Sequence, residues 1–538
     1  MKLNQEGLKE RESWAAKGYE LPSFDWDAMR DATKENPRWA HFGAGNIFRA
    51  FHGALAQKLL NENEMESGIT VIEGFDYEIV EKMYRPHDDL SILVTLKADG
   101  TIQKTVIGSM GESCILDSGN EAEFSRLKEI FRKPSLQLAT FTITEKGYSL
   151  TGPGGALLPA VEADFSAGPG APASYIGKVA ALLYERFQAG AYPIAMVSTD
   201  NCSHNGDKLY DAVHAFAEKW TANGTADKGF LSYIEDKGKV SFPWSMIDKI
   251  TPRPDPEVEA LLAKDAIEGL DNVVTSKKTW VAPFVNAEEC EYLVVEDAFP
   301  NGRPPLEKAG VIFTTRETVD KVERMKVCTC LNPLHTSLAV YGCLLGYEKI
   351  SEEMKDPALK RMVERIGYEE GLPVVIDPGV LRPKEFIDTV IGTRLPNPFM
   401  PDTPQRIATD TSQKLAIRFG ETIKNYIAEK RDLKDLKLIP LVFAGWLRYL
   451  MAVDDKGEAF ELSPDPMLTE LTPKMAGAKL GMSPEEAKKK AAEFLSDKRI
   501  FGVDLKEAGL AEEVEGYFAE LVQGPGAVRK TLEKYVLA

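Results

Sequence analysis

The feature that most narrows what this chain can fold into is an alternation. Across its first half, short apolar runs that each close on a polar cluster take turns with amphipathic helical segments. The apolar runs are 38–42, 69–75, 136–144 and 193–198, and helical spacing fills the stretch up to about residue 60 and those around 173–189 and 209–222. A strand apolar at successive positions must be covered on both faces, so these runs predict a parallel sheet with helices above and below it, a doubly wound α/β layer. The stretch SILVTLKADGTIQKTVIGSM at 91–110 predicts a hairpin turning at Asp99-Gly100. Past Lys308 nearly every segment has helical spacing. At 538 residues the chain exceeds what one core organises, and we expect two domains. The first covers 1–290 with a polar extension to about residue 37, and a mostly α-helical second covers 291–538.

The first strand and helix, RWAHFGAGNIFRAFHGALAQKLL, meet at a Gly43-x-Gly45 turn. Glycines at such a turn let backbone approach a pyrophosphate, and the helix start supplies N–H donors and a favourable dipole. Arg49, one turn on, offers a cation. The third glycine of the usual dinucleotide fingerprint is missing, so an ordinary strand-to-helix turn explains the motif equally well. After the second strand come Glu73 and Asp76. An acid there holds a ribose 2′-hydroxyl and repels a 2′-phosphate, which favours NAD and leaves NADP open. The third and fourth runs end in Thr144-Glu145-Lys146 and Thr199-Asp200-Asn201, where ligands of open α/β sheets lie, although turn chemistry favours the same residues. On this reading the fold class is α/β, with a Rossmann-like doubly wound N-terminal domain.

A second concentration of chemistry is Lys321–Tyr347, KVERMKVCTCLNPLHTSLAVYGCLLGY. Asn332-Pro333 signals a helix start, with Asn as the cap and Pro at the first helical position, and the helix should run to about Gly346. His335 then falls in its first turn, and Glu323 and Lys326, three apart, share a helix face before the break. An ammonium set among apolar residues has its pKa lowered and can exchange protons near neutral pH. The plainer alternative is a solvated Glu–Lys pair beside a core histidine. Further on, RLPNPFMPDTPQRIATDTSQKL at 394–415 is a proline-punctuated loop entering a helix; it carries Arg394, Asn397, Arg406, Asp410 and Lys414. Its cations suit a substrate carboxylate, or else cap helices and pair with acids. Asp248 sits in the Pro-bounded stretch PWSMIDKITPRPDP.

With 83 acidic against 65 basic residues and a net charge of -18, nucleic acid and anionic membranes are disfavoured as partners, and a small-molecule substrate is expected. The six cysteines show no zinc-type spacing and the six histidines are scattered, so no metal site is expected and the thiols suit a reducing, cytoplasmic setting. The start, MKLNQEGLKERESW, lacks the apolar core of a signal peptide. The longest apolar run, Leu438–Val453, contains Arg448 and predicts a buried helix rather than a membrane span. Whether the chain is a monomer or a small homo-oligomer stays open.

Several blocks in order carry a resemblance: GAGNIFRA at 43–50, TITEKGY at 142–148, STDN at 198–201, EDAFPNGRPPLE at 296–307, ERMK at 323–326 with LNPLHTSLA at 331–339, LPNPFMPDTPQRIATDTSQK at 395–414, and FAGWLRYL at 443–450. They resemble the polyol-specific long-chain dehydrogenases over nearly the whole chain after about residue 37. The resemblance implies a zinc-independent, NAD(P)-linked interconversion of a secondary alcohol and a ketone. Carried over by motif, Lys326 is the acid/base, Asn332 and Asn201 bracket the reacting oxygen, His335 orients substrate and Glu323 gates proton exchange with water. It places the 43–49 turn, with Gly43, Gly45, Asn46, Phe48 and Arg49, at the cofactor, together with Glu73, Asp76, Thr144 and Glu145. Asp248 matches an acid near the substrate, and Arg394 or Lys414 would hold a carboxylate. The family pattern has one residue fewer between the Lys and the Asn; a bulge at the helix junction could absorb the extra one, and the intact Glu323-x-x-Lys326 spacing is what keeps Lys326 in the assignment. VNAEECEYLVVEDAFPNGRPPLE and the long N-terminal extension look closest to the members that reduce fructuronate, with fructose and tagaturonate as alternatives. A nucleotide-binding protein without turnover would have lost part of this constellation.

Overall fold

The computed structural model describes residues 1–253 and 256–537. The chain divides into two compact units, one of Met1–Lys97 with Thr101–Asp320 and one of Ala98–Gly100 with the chain from Lys321. Six strands make the main sheet of the first unit: β1 (Trp39–Phe42), β2 (Ile69–Glu73), β3 (Met110–Ile115), β4 (Leu138–Phe141), β5 (Ile194–Ser198) and β6 (Val240–Ser241). Their spatial order is β3-β2-β1-β4-β5-β6, and every neighbouring pair is parallel. The chain runs outward from β1 to one edge and returns to β4, so β1 and β4 flank the switch point where open α/β sheets bind ligands.

Alternate side chains along these strands enter two different cores. Ala40, Phe42, Ala139, Phe141 and Met196 pack with α2 (Glu121–Arg132), α3 (Tyr175–Gly190) and α4 (Asn205–Ala222). Trp39, Leu138, Ala195 and Val197 pack with α1 (Gly53–Asn61). Period-two alternation with both faces apolar is what a sheet covered on both sides requires. Asn120 and Ser174 accept backbone N–H groups at the starts of α2 and α3, fixing where those helices begin.

The first unit extends past residue 290. Tyr292–Glu296 pairs antiparallel with Ser245–Asp248 and parallel with Ile312–Thr314. Asp248, expected in a loop, is therefore the last residue of a paired strand, opposite Tyr292; Pro254 and Asp255 of the same stretch lie outside the described residues. Ser91–Leu96 and Ile102–Ile107 form the expected hairpin, flanked by Phe284–Glu288 and by Tyr19–Glu20 of the N-terminal extension.

The second unit is built of helices. Its core holds α5 (Asn332–Leu345) and α6 (Leu438–Tyr449), the latter buried along its whole length. Tyr341 donates to the Leu441 carbonyl at 2.9 Å, and a Cβ at Gly445 would come within 2.8 Å of the Tyr341 ring, so glycine is what lets α5 and α6 close up. Arg448, the charge inside the apolar run, donates to the carbonyls of Leu521, Val453 and Asp454. Wide π-helical turns interrupt the helices at Lys326–Cys330, Ile366–Gly371, Val390–Arg394 and Ala416–Gly420. Among the described residues no helix is long and apolar enough to cross a membrane.

Candidate active site

In the first unit the site begins at the turn between β1 and α1. Gly43 has φ 106° and donates its N–H to the Ile72 carbonyl at 2.8 Å; a Cβ there would lie 2.2 Å from the Thr142 carbonyl oxygen. The fold itself therefore demands this glycine. Gly45 is different, since a Cβ on it would meet nothing within 4 Å and its φ is ordinary. A glycine the fold does not need, facing open space at a switch point, is what close approach of a pyrophosphate calls for. The residues present thus fit a dinucleotide.

The neighbouring residues hold this turn rather than reach outward from it. Glu73, 5% exposed, accepts Ala44 N–H at 2.9 Å through Oε2 and the N–H groups of Phe75 and Asp76 at 2.7 and 3.0 Å through Oε1. Both oxygens expected to meet a ribose are occupied by backbone. Asp76 is buried and accepts Thr275 Oγ1 at 2.6 Å. Arg49 is buried too, donating to the Ala282 carbonyl at 2.6 Å and to Asn46 Oδ1 at 2.8 Å, which orients the Asn46 amide. Phe48 stacks on His41 inside the core, so it and Arg49 support the turn from behind.

Beyond β4 and β5, Asp200 ties two loops together. It accepts the N–H groups of Ile143 and Thr144, both at 2.9 Å, and the Tyr148 hydroxyl at 2.5 Å. Burial raises the Asp200 carboxyl pKa above the ordinary range, while these three donors pull it back. Thr144 is held at φ 64°, ψ 157°, a region that only glycine visits freely, so Asp200 clamps a strained turn at the sheet's ligand-binding edge. Glu145 is exposed and paired with Lys208 at 2.9 Å; Asn201 is exposed on the loop after β5.

In the second unit, Lys326 is 4% exposed and opens the π-helical turn that ends at Cys330. A π-helical turn of this kind can hold one residue more than a regular helix would. Glu323 precedes it on the helix Arg316–Met325. Asn332 does not cap α5. The cap position is Leu331, Asn332 is the first helical residue and Pro333 the second, so no carboxamide–backbone capping bond forms. The Asn332 amide is left for another partner.

His335 follows one turn into α5, and its Nε2 is buried without a hydrogen bond, 3.4 Å from Asp402 Oδ2. Burial, reinforced by the charges of Arg418, Arg406, Arg394 and Lys414, lowers its pKa to about 3, so the ring is neutral at physiological pH. Asp402 also pairs with Arg406. Lys414 donates to the carbonyls of Ile407 and Thr409. Arg394 is buried in the turn Val390–Arg394. Arg418 lies beyond the proline-punctuated loop that drew attention in the sequence. The signal that marks it is its four-residue spacing from Lys414.

Two family models match the chain: the mannitol dehydrogenase Rossmann domain over residues 37–308 and the mannitol dehydrogenase C-terminal domain over 318–522. A D-mannonate oxidoreductase of Thermotoga maritima is 54% identical over 540 residues, covering 100% of this chain and 99% of that protein. Among solved structures, a D-sorbitol dehydrogenase in substrate-free form superposes with a TM-score of 0.78 at 25% identity, covering 95% of this chain and 97% of that one. The ternary complex of Pseudomonas fluorescens mannitol 2-dehydrogenase with NAD and D-mannitol superposes with a TM-score of 0.66 at 26% identity, covering 99% of both chains. With both halves matched in order and the whole length shared with such a relative, the chain belongs to the mannitol dehydrogenase family.

Proposed function

We propose that this chain is an NAD-dependent reductase of a keto-hexuronate, interconverting D-fructuronate and D-mannonate. The observation that carries the substrate class is the concentration of Arg394, Arg406, Lys414 and Arg418 about a buried, neutral His335. Asp402 neutralises Arg406 alone; a neutral ketose offers the charge that is left nothing to bind, whereas a uronate offers a carboxylate. The name and extent of the Thermotoga maritima relative support the same substrate.

The Gly43–Asn46 turn would hold the pyrophosphate, with Gly45 bare toward it and Asn46 oriented by Arg49. When bound, the nicotinamide supplies the hydride. Lys326 holds the proton that the reacting oxygen takes up as it becomes an alcohol, a contribution of about 10²–10⁴-fold for a positioned general acid. The Asn332 amide donates to that oxygen, where negative charge develops, so it favours the transition state over the ground state. Asn201 is assigned as a second amide donor and Glu323 as the group that returns a proton from water to Lys326. His335, neutral, accepts or donates a single hydrogen bond and orients a substrate hydroxyl.

NADH absorbance followed in parallel with D-fructuronate, D-tagaturonate and D-fructose tests this assignment. The expected result is a kcat/KM for D-fructuronate at least about 100-fold above that for D-fructose, the scale set by one charge-assisted contact. A preference for D-fructose overturns the substrate class, and a preference for D-tagaturonate overturns the choice within it.

A further inference from the structure

Four cations surround His335, but they are not equivalent. Arg406 has a side chain 60% exposed and is closed on Asp402, which neutralises it. Lys414 is engaged by the carbonyls of Ile407 and Thr409, just ahead of its own helix Thr411–Leu415. Arg394, though buried, has partners of its own. Arg418 stands apart: its guanidinium donates through Nη1 to the Thr336 hydroxyl, and no carboxylate among the described residues pairs with it.

The way Arg418 is held matters as much as its charge. Thr336 donates its own hydroxyl hydrogen to the Asn332 carbonyl at 2.8 Å, so its lone pairs face the guanidinium. The chain Arg418, Thr336, Asn332 therefore anchors the cation to the first turn of α5, the turn that also presents the Asn332 amide and the unpartnered Nε2 of His335. Arg418 sits on the wide turn Ala416–Gly420 between buried Leu415 and Phe419, and burial alone draws its pKa down to about 10. A guanidinium has five N–H donors in a planar fork; with Nη1 partly engaged, an outer edge remains for two parallel bonds to a carboxylate.

We infer that Arg418 binds the substrate's carboxylate and is the residue that sets the preference for a uronate over a neutral ketose. The inference rests on the keto-hexuronate reading above and narrows it to one side chain. Because the cation is registered on the turn that carries Asn332 and His335, it fixes which end of a six-carbon chain faces the proton-donating side.

The test is the ratio of kcat/KM for D-fructuronate to that for D-fructose, measured in wild type, Arg418→Gln and Arg418→Lys with NADH. Thermal melting and NADH titration on each variant report folding. Loss of two charge-assisted bonds predicts a fall of about 100-fold or more in the ratio for Arg418→Gln, expressed mainly in KM. Arg418→Lys keeps the charge without the fork and should recover part of it, leaving a deficit of about 10-fold. A merely structural arginine would lower both substrates together and leave the ratio unmoved; that result overturns the inference while the substrate reading stands. If wild type itself shows no preference for D-fructuronate, the substrate reading falls and takes the inference with it. Should Arg418→Gln fail to fold, Arg418→Lys decides, since an unchanged ratio in that variant is equally fatal.

Discussion

Replacing Glu73 by glutamine keeps the side chain's size and shape while removing its charge and one acceptor. The carboxylate receives three backbone N–H groups, from Ala44 at 2.9 Å, Phe75 at 2.7 Å and Asp76 at 3.0 Å. A carboxamide has one oxygen, so its best orientation keeps Phe75 and Asp76 and turns an NH2 toward the Ala44 N–H. One bond to a charged acceptor is lost, about 1.5–3 kcal/mol, and the remaining two become neutral bonds of roughly half the strength. At 5% exposure water cannot stand in, so the total comes to about 3–6 kcal/mol. Urea unfolding should report that loss. The damage falls on the residue between Gly43 and Gly45, so NADH affinity measured by fluorescence titration should drop at least about 10-fold. Were Glu73 instead the ribose-binding acid, the variant would keep its stability and gain in NADPH binding. Stability within about 0.5 kcal/mol of wild type with improved NADPH affinity would refute the reasoning.

The remaining predictions concern buried titrating groups and metal. Glu353 is fully buried with neither carboxylate oxygen partnered, and burial, with Asp356 adding, raises its pKa well above the ordinary 4.5. The unfolded chain releases this proton above about pH 4.5 while the native state keeps it, so stability declines as pH rises from there. Glu353→Gln should therefore melt higher than wild type at pH 8 and about equally at pH 5; parallel pH profiles would count against it. His52 and His335 have the opposite sign. Burial drops both to about 3, so below 6.5 the unfolded chain takes up protons the native state refuses. Each should cost about 2 kcal/mol between pH 6.5 and pH 5, read as a fall in urea midpoint; a flat profile contradicts it. Incubation with EDTA should leave turnover unchanged, and loss of activity restored by zinc would revive a metal mechanism.

How far the fold could be read from residues depended on whether partners were local. Runs such as Trp39–Phe42 and Ile194–Ser198 declare a sheet covered on both faces because nearly every side chain is apolar. The pairing of Tyr292–Glu296 with Ser245–Asp248 and Ile312–Thr314 is not declared in the same way, since strands of three to five residues amid prolines and acids carry no signal of which strand lies beside them. The same holds at the site. Arg49 looked like a phosphate ligand, yet its partner is the Ala282 carbonyl, 233 residues away, which no local pattern announces. Asn332 looked like a helix cap because Asn-Pro is a cap signal. The helix instead begins at Asn332 itself, with Leu331 at the cap position, so its amide makes no capping bond. Lys414 was legible as a cation near a loop, but only coordinates show that carbonyls occupy it while Arg418 faces a hydroxyl.

The central claim is that hydride passes from the nicotinamide to a uronate ketone while Lys326 supplies the proton. A single-turnover experiment with NADH deuterated at both C4 positions and D-fructuronate, with the product analysed by mass spectrometry, addresses it in wild type and Lys326→Ala. The account predicts D-mannonate carrying one deuterium at the former keto carbon in wild type, and the same product formed about 10²–10⁴-fold more slowly in the variant. Mannonate without deuterium, or a variant that keeps the wild-type rate, would contradict it.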